Sequence, residues 1–145
     1  MKYELQPTVE SDKETIREMN NRCYREVVVR QFGGWDVDIQ HGFFEKKWEP
    51  ARLQKILCEN EIVGVLWVER REDHVEVLEI QIDPEFQGRG LGTAVLSDIL
   101  GQVDQAGLSV KLQVLFKNRA KALYERLGFV VTGETDTHYL MERAA

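Results

Sequence analysis

The segment that most constrains this chain is a strand-like run, a glycine-rich turn and a helix-like run in direct succession. Val77-Leu78-Glu79-Ile80-Gln81-Ile82 is closed by Asp83-Pro84, and the turn reads Gln87-Gly88-Arg89-Gly90-Leu91-Gly92-Thr93. Leu91, Val95, Leu96, Ile99, Leu100 and Val103 then recur at helical spacing. Glycines let the backbone approach a ligand closely, and the first N–H groups of a helix have no internal partners. Those donors and the positive end of the helix dipole favour a phosphate. The spacing is neither the P-loop pattern, since no Lys-Ser or Lys-Thr follows the last glycine, nor G-x-G-x-x-G. On the glycines alone, a plain helix entry and an anion cradle both stay open.

A second block lies downstream, Leu112 to Phe116 as a strand followed by Lys117-Asn118-Arg119-Ala120-Lys121-Ala122-Leu123-Tyr124-Glu125-Arg126-Leu127-Gly128-Phe129. Asn118 suits an N-cap, and Gly128 stands where a helix ends in a left-handed residue. The first block, a strand ending in Ile82-Asp83-Pro84 and then Gln87, Arg89, Gly90 and Gly92, resembles motif A of the GNAT superfamily of acyl-CoA N-acyltransferases. The second, Asn-x-x-Ala-x-x-Leu-Tyr-x-x-Leu-Gly-Phe, resembles its motif B. The resemblance covers residues 60 to 143; the first 50 residues match only in the order of their elements.

Composition fits one enzyme domain over residues 1–145. Apolar residues make up 43% and charged residues 30%, ordinary values for a globular protein. A net charge of −6 and a pI near 5.2 argue against a nucleic-acid surface and mildly favour cationic amines. Arg89, Lys117, Arg119 and Lys121 cluster around the two motifs, either as a solvated face or as a local patch for CoA. Cys23 and Cys58 show no metal-ligand spacing, so no metal is expected. The polar N-terminus and the short apolar stretches predict a cytoplasmic protein that does not enter a membrane.

Periodicity predicts a strand over 3–6, a helix capped by Ser11 or Asp12 and running to about Gln31, and a second helix from about Val37 to Lys47. Strands follow over 53–58, 62–70 and 75–82, then the motif A helix, a strand over 110–116, the motif B helix, and a closing pair over 129–134 and 137–141. The fold class expected is α/β (α+β). The GNAT resemblance implies a central, mixed, mostly antiparallel twisted sheet of about seven strands, splayed between the fourth and fifth and flanked by about four helices.

The resemblance also implies acetyl-CoA as cosubstrate and an amine as acceptor. Ile80, Gln81 and Ile82 would hydrogen-bond the pantetheine arm; Gln87, Gly88, Arg89, Gly90, Leu91, Gly92 and Thr93 would wrap the pyrophosphate; Asn118 and Lys121 would add contacts. Tyr124 would protonate the leaving thiolate, its other reading being a core tyrosine of the helix. An alkyl amine is only ~0.1% neutral at pH 7, a burden of roughly 4 kcal/mol that a base eases. Glu79 is costly within an apolar strand unless it is paired or faces a cleft, which makes it a candidate base. Glu76 is the rival, on the opposite face by strict alternation, and water is a third option. Trp35 and Asp36 stand as a cation–π platform and ammonium partner, or as a core plug and N-cap. His138 stands as a base or ligand, or as a structural strand histidine. Two other function classes remain: an acyl-CoA sensor without turnover, and a protein or peptide N-acetyltransferase with a regulatory role. The last strands pair in many members of this superfamily, which makes a homodimer an expectation too.

Overall fold

The computed structural model describes residues 2–145. Seven strands form one sheet: β1 (Glu4–Pro7), β2 (Gln54–Cys58), β3 (Glu61–Arg70), β4 (His74–Ile82), β5 (Ser109–Leu115), β6 (Val130–Glu134) and β7 (His138–Arg143). Their order across the sheet is β1-β2-β3-β4-β5-β7-β6. Four helices accompany it: α1 (Lys13–Phe32), α2 (Val37–Lys47), α3 (Leu91–Ala106) and α4 (Lys121–Arg126). The β1–β2, β2–β3, β5–β7 and β6–β7 pairs are antiparallel, whereas β4 and β5 run parallel. That parallel ladder runs from His74↔Ser109 to Val77↔Leu112, while β4 continues to Ile82. This is the mixed, splayed sheet expected.

The described residues pack as two compact units, one of residues 2–67 and 79–91, the other of residues 68–78 and 92–145. In the first, the apolar stripe of α1 buries Ile16 and Met19 against Phe44 of α2, Leu53 and Val65, with Trp48 and Trp67 at the margin. Fully burying a side chain of this size is worth about 1.5–3 kcal/mol. Gly33, at φ 85, ends α1 in the left-handed conformation, one residue beyond Phe32. In the second unit the β5 alternation buries Val110, Leu112 and Val114, and Met141 of β7 lies opposite Leu112.

Boundaries shift by one or two residues from expectation at most ends, and two elements start differently. A short 3-10 turn over Glu10–Asp12 precedes α1, and Asp12 accepts from the Val9 N–H at 2.9 Å instead of capping α1 itself. Asn118 accepts from the Ala120 N–H at 2.9 Å, so it shapes the turn ahead of α4 while Ala120 takes the cap position.

Candidate active site

In the first unit, alternation along β4 turns Glu79 and Gln81 inward; they are 8% and 5% exposed. Glu79 Oε1 accepts from the Tyr24 hydroxyl and, at 2.8 Å, from Gln81 Nε2; its Oε2 lies 3.1 Å from Lys47 Nζ. Lys47 also donates to Asn20 Oδ1 at 2.5 Å, and Gln81 Nε2 donates to the same oxygen at 2.8 Å. A buried carboxylate is tolerable when paired and hydrogen-bonded, and these three donors meet that condition. Gln81 Oε1 is buried with no partner.

The strand end is tied down as well. Asp83, 5% exposed, pairs with Arg22 of α1 at 2.6 Å and accepts from the Glu85 N–H. The Ile82 carbonyl accepts from Gln87 Nε2 at 2.8 Å and from Cys23 Sγ at 3.3 Å. Gln87 thereby fastens the turn to β4. Gln87, Gly88, Arg89 and Gly90 are exposed, and Gly88 and Gly90 have φ of 79 and 80. A Cβ at either glycine would meet nothing within 4 Å, so the left-handed backbone rather than crowding calls for glycine. The turn is exposed, carries two left-handed glycines and directly precedes α3 in the chain. Arg89 sits over the Phe86 ring at 5.2 Å. Leu91 at the start of α3 is core, and Thr93 is exposed.

Trp35 is half-buried and carries the Arg25 guanidinium at 5.8 Å from its centroid, so the chain's own cation stands at that ring. Asp36 accepts from the Ile39 N–H at 3.0 Å as the N-cap of α2. Of the readings open for this pair, the N-cap is the one the hydrogen bonds display.

In the second unit, Tyr124 is 7% exposed and packs edge-on against Phe129. Lys121 lies 4.9 Å from the Tyr139 centroid and 3.5 Å from Glu125. His138, opposite Leu115 in the ladder, has Nδ1 2.7 Å from Thr137 Oγ1; burial holds its pKa below the ordinary 6.5. Glu76 lies within 3.1 Å of His74 Nε2 and 3.4 Å of Arg71, and the His74 contact holds its pKa below the usual value. Among the described residues no cluster of His, Cys, Asp and Glu could hold a metal ion, and no helix is long and apolar enough to cross a membrane.

The model of the acetyltransferase (GNAT) domain matches residues 52–131, more than half of the chain. The chain belongs to the GNAT acetyltransferase family. Mycothiol acetyltransferase of Streptomyces coelicolor is 38% identical over 109 residues, which cover 72% of this chain and 35% of that protein. Ribosomal protein bS18-alanine N-acetyltransferase of Haemophilus influenzae is 32% identical over 76 residues, 52% of each chain. The chain thus spans about a third to a half of the length of these GNAT relatives. PaiA N-acetyltransferase from Thermoplasma acidophilum, solved in complex with coenzyme A, superposes with a TM-score of 0.80 over 100% of both chains at 15% identity, a likeness of fold.

Three side chains of this GNAT chain escaped the sequence reading: Asn20, Tyr24 and Lys47. Asn20 lies four residues beyond Ile16 on the buried stripe of α1, and a buried amide there is a signal that could have been read. Lys47 gives none, because lysines in the last turn of a helix are ordinary.

Proposed function

We propose that this chain is an acetyl-CoA-dependent N-acetyltransferase that passes the acetyl group directly to a primary amine in a ternary complex. The observation that carries the reading is the exposed turn, with left-handed Gly88 and Gly90, set between β4 and α3 of a GNAT-family chain. Acetyl-CoA supplies the acetyl group as a thioester already activated for acyl transfer.

The residues take these roles. The Gln87–Thr93 backbone and Arg89 bind the pyrophosphate, and Asn118 and Lys121 add contacts to the CoA. Gln81 O lies beside Gly64 of β3, where a Cβ would come within 2.3 Å of it. By alternation the Ile80 N–H and C=O therefore point to the opposite edge of β4, where they bond the pantetheine arm. The Ile82 carbonyl, already accepting two hydrogen bonds, has less to offer. Glu79 takes the ammonium proton, a choice supported over Glu76 by its place in a buried polar network. Tyr124 gives a proton to the thiolate as the C–S bond breaks and regains one from the acylated nitrogen, which leaves a neutral amide; with phenol and thiol pKa values of about 10 and 8.5 the first transfer is uphill by only ~2 kcal/mol.

The test is release of free thiol from acetyl-CoA with unbranched primary amines as acceptors. Tyr124→Phe is expected to lower kcat by about 10²–10⁴-fold, the usual weight of a general acid, with KM for acetyl-CoA little changed. Equal rates in the wild type and the variant remove Tyr124 from the chemistry. Acetyl-CoA binding without thiol release from any amine would make the chain a sensing module instead.

A further inference from the structure

Lysines near the end of a helix normally carry their ammonium out to water. Lys47, the last residue of α2, turns inward, with 18% of its side chain exposed. Its Nζ lies 3.1 Å from Glu79 Oε2 and 2.5 Å from Asn20 Oδ1, and 5.1 and 6.0 Å from the centroids of the Tyr24 and Phe44 rings. A carboxylate, an amide oxygen and aromatic faces are the groups that recognise an alkylammonium ion. The spare Gln81 Oε1 adds an unused acceptor, on a side chain that already bonds both Glu79 and Asn20. The geometry asked of an external amine, a nitrogen within hydrogen-bond reach of Glu79, is thus met by a lysine of the chain itself.

Resting on the reading of Glu79 as proton acceptor, we propose that Lys47 is a self-acetylation site: with no external amine bound, its ε-amine takes the acetyl group from acetyl-CoA. Nζ gives one proton to Glu79 and forms a bond to the acetyl carbonyl carbon. The C–S bond breaks with its electron pair on sulfur, and a second proton from nitrogen goes to the thiolate. The products are Nε-acetyl-Lys47, free CoA and one net proton. The new amide is uncharged, so Glu79 loses its ion-pair partner.

Lys46, exposed and adjacent, is the built-in control. The full chain is incubated with isotope-labelled acetyl-CoA and no amine, then cleaved after glutamate. Fragment spectra locate the acetyl group, and calorimetry on the same preparation reports acetyl-CoA binding. The expected result is Lys47 modified ahead of Lys46 by on the order of 10²-fold or more, as held reactants allow. The rate should be independent of protein concentration and drop to background in Glu79→Gln. Uncatalysed transfer gives the reverse order, because it follows exposure. Acetyl-CoA binding with Lys47 unmodified, or with Lys46 ahead, overturns the proposal and leaves the N-acetyltransferase reading standing; no acetyl-CoA binding overturns both. The Lys46-to-Lys47 comparison in the wild type decides the matter even where Glu79→Gln fails to fold.

Discussion

The Cys23 thiol donates to the Ile82 carbonyl at 3.3 Å; its burial, reinforced by the charges of Asp83 and Glu79, pushes its pKa up to about 12. Thiolate is the reactive form, so this cysteine is a packing residue with inert sulfur. Iodoacetamide at pH 8 is expected to label Cys58 well before Cys23 in the native protein, as read by peptide mass; labelling of Cys23 first would contradict its burial. The surroundings of the candidate side chains were only partly legible in the sequence. Strict alternation in β4 set Glu76 and Glu79 on opposite faces, but a bulge that would reverse this stayed open in the sequence; the burial of Glu79 needed the fold. What surrounds Glu79 was not legible, because Tyr24 and Lys47 arrive from residues 55 and 32 positions away. Trp35 and Asp36 were open in sequence for a related reason: an N-cap and an ammonium partner call for the same residue type, and the Ile39 contact, which displays the N-cap, depends on where the loop ahead of α2 turns.

Three strands, β3, β4 and β7, yield further tests. Gly64 of β3 lies where a Cβ would meet Gln81 O at 2.3 Å and the methyls of Ile56 and Ile82 at 3.1 Å. A backbone oxygen in a sheet cannot yield as a flexible side chain can. Gly64→Ala is therefore expected to cost about 1–3 kcal/mol, seen as a lower denaturation midpoint; an unchanged midpoint would place β3 and β4 further apart. The first residues of β4 and β7 are histidines displaced in opposite directions. Hydrogen bonds to Asp73 and then Glu76 raise the pKa of His74 above 6.5, whereas burial lowers that of His138 below it. The His74 contribution is present below 6.5 and is lost as pH rises through its folded value. His138 favours the neutral form, so its cost to stability appears as pH falls below 6.5 towards its folded value. An NMR titration should show the two imidazoles on opposite sides of 6.5, and a common midpoint would refute both environments. The glycine turn was legible because Gly88 and Gly90 answer a local backbone demand; the fastening of that turn by Gln87 was not, since it depends on where the Ile82 carbonyl points.

At the scale of the molecule, the order of strands and helices was legible because each follows from periodicity over a few residues. The placing of β7 between β5 and β6 is a long-range pairing that no local pattern states; the family resemblance, not periodicity, implied the mixed, splayed sheet. The fold sets a glycine turn at the end of β4, ahead of α3, and that arrangement carries the functional account. Its most direct test is calorimetry of acetyl-CoA with the wild type and Arg89→Glu at two salt concentrations. The account predicts micromolar binding that weakens with the charge reversal and with salt, since exposed charges are screened over about 10 Å at 0.1 M. A folded protein that binds no acetyl-CoA, or binds it without regard to Arg89 and salt, would contradict it.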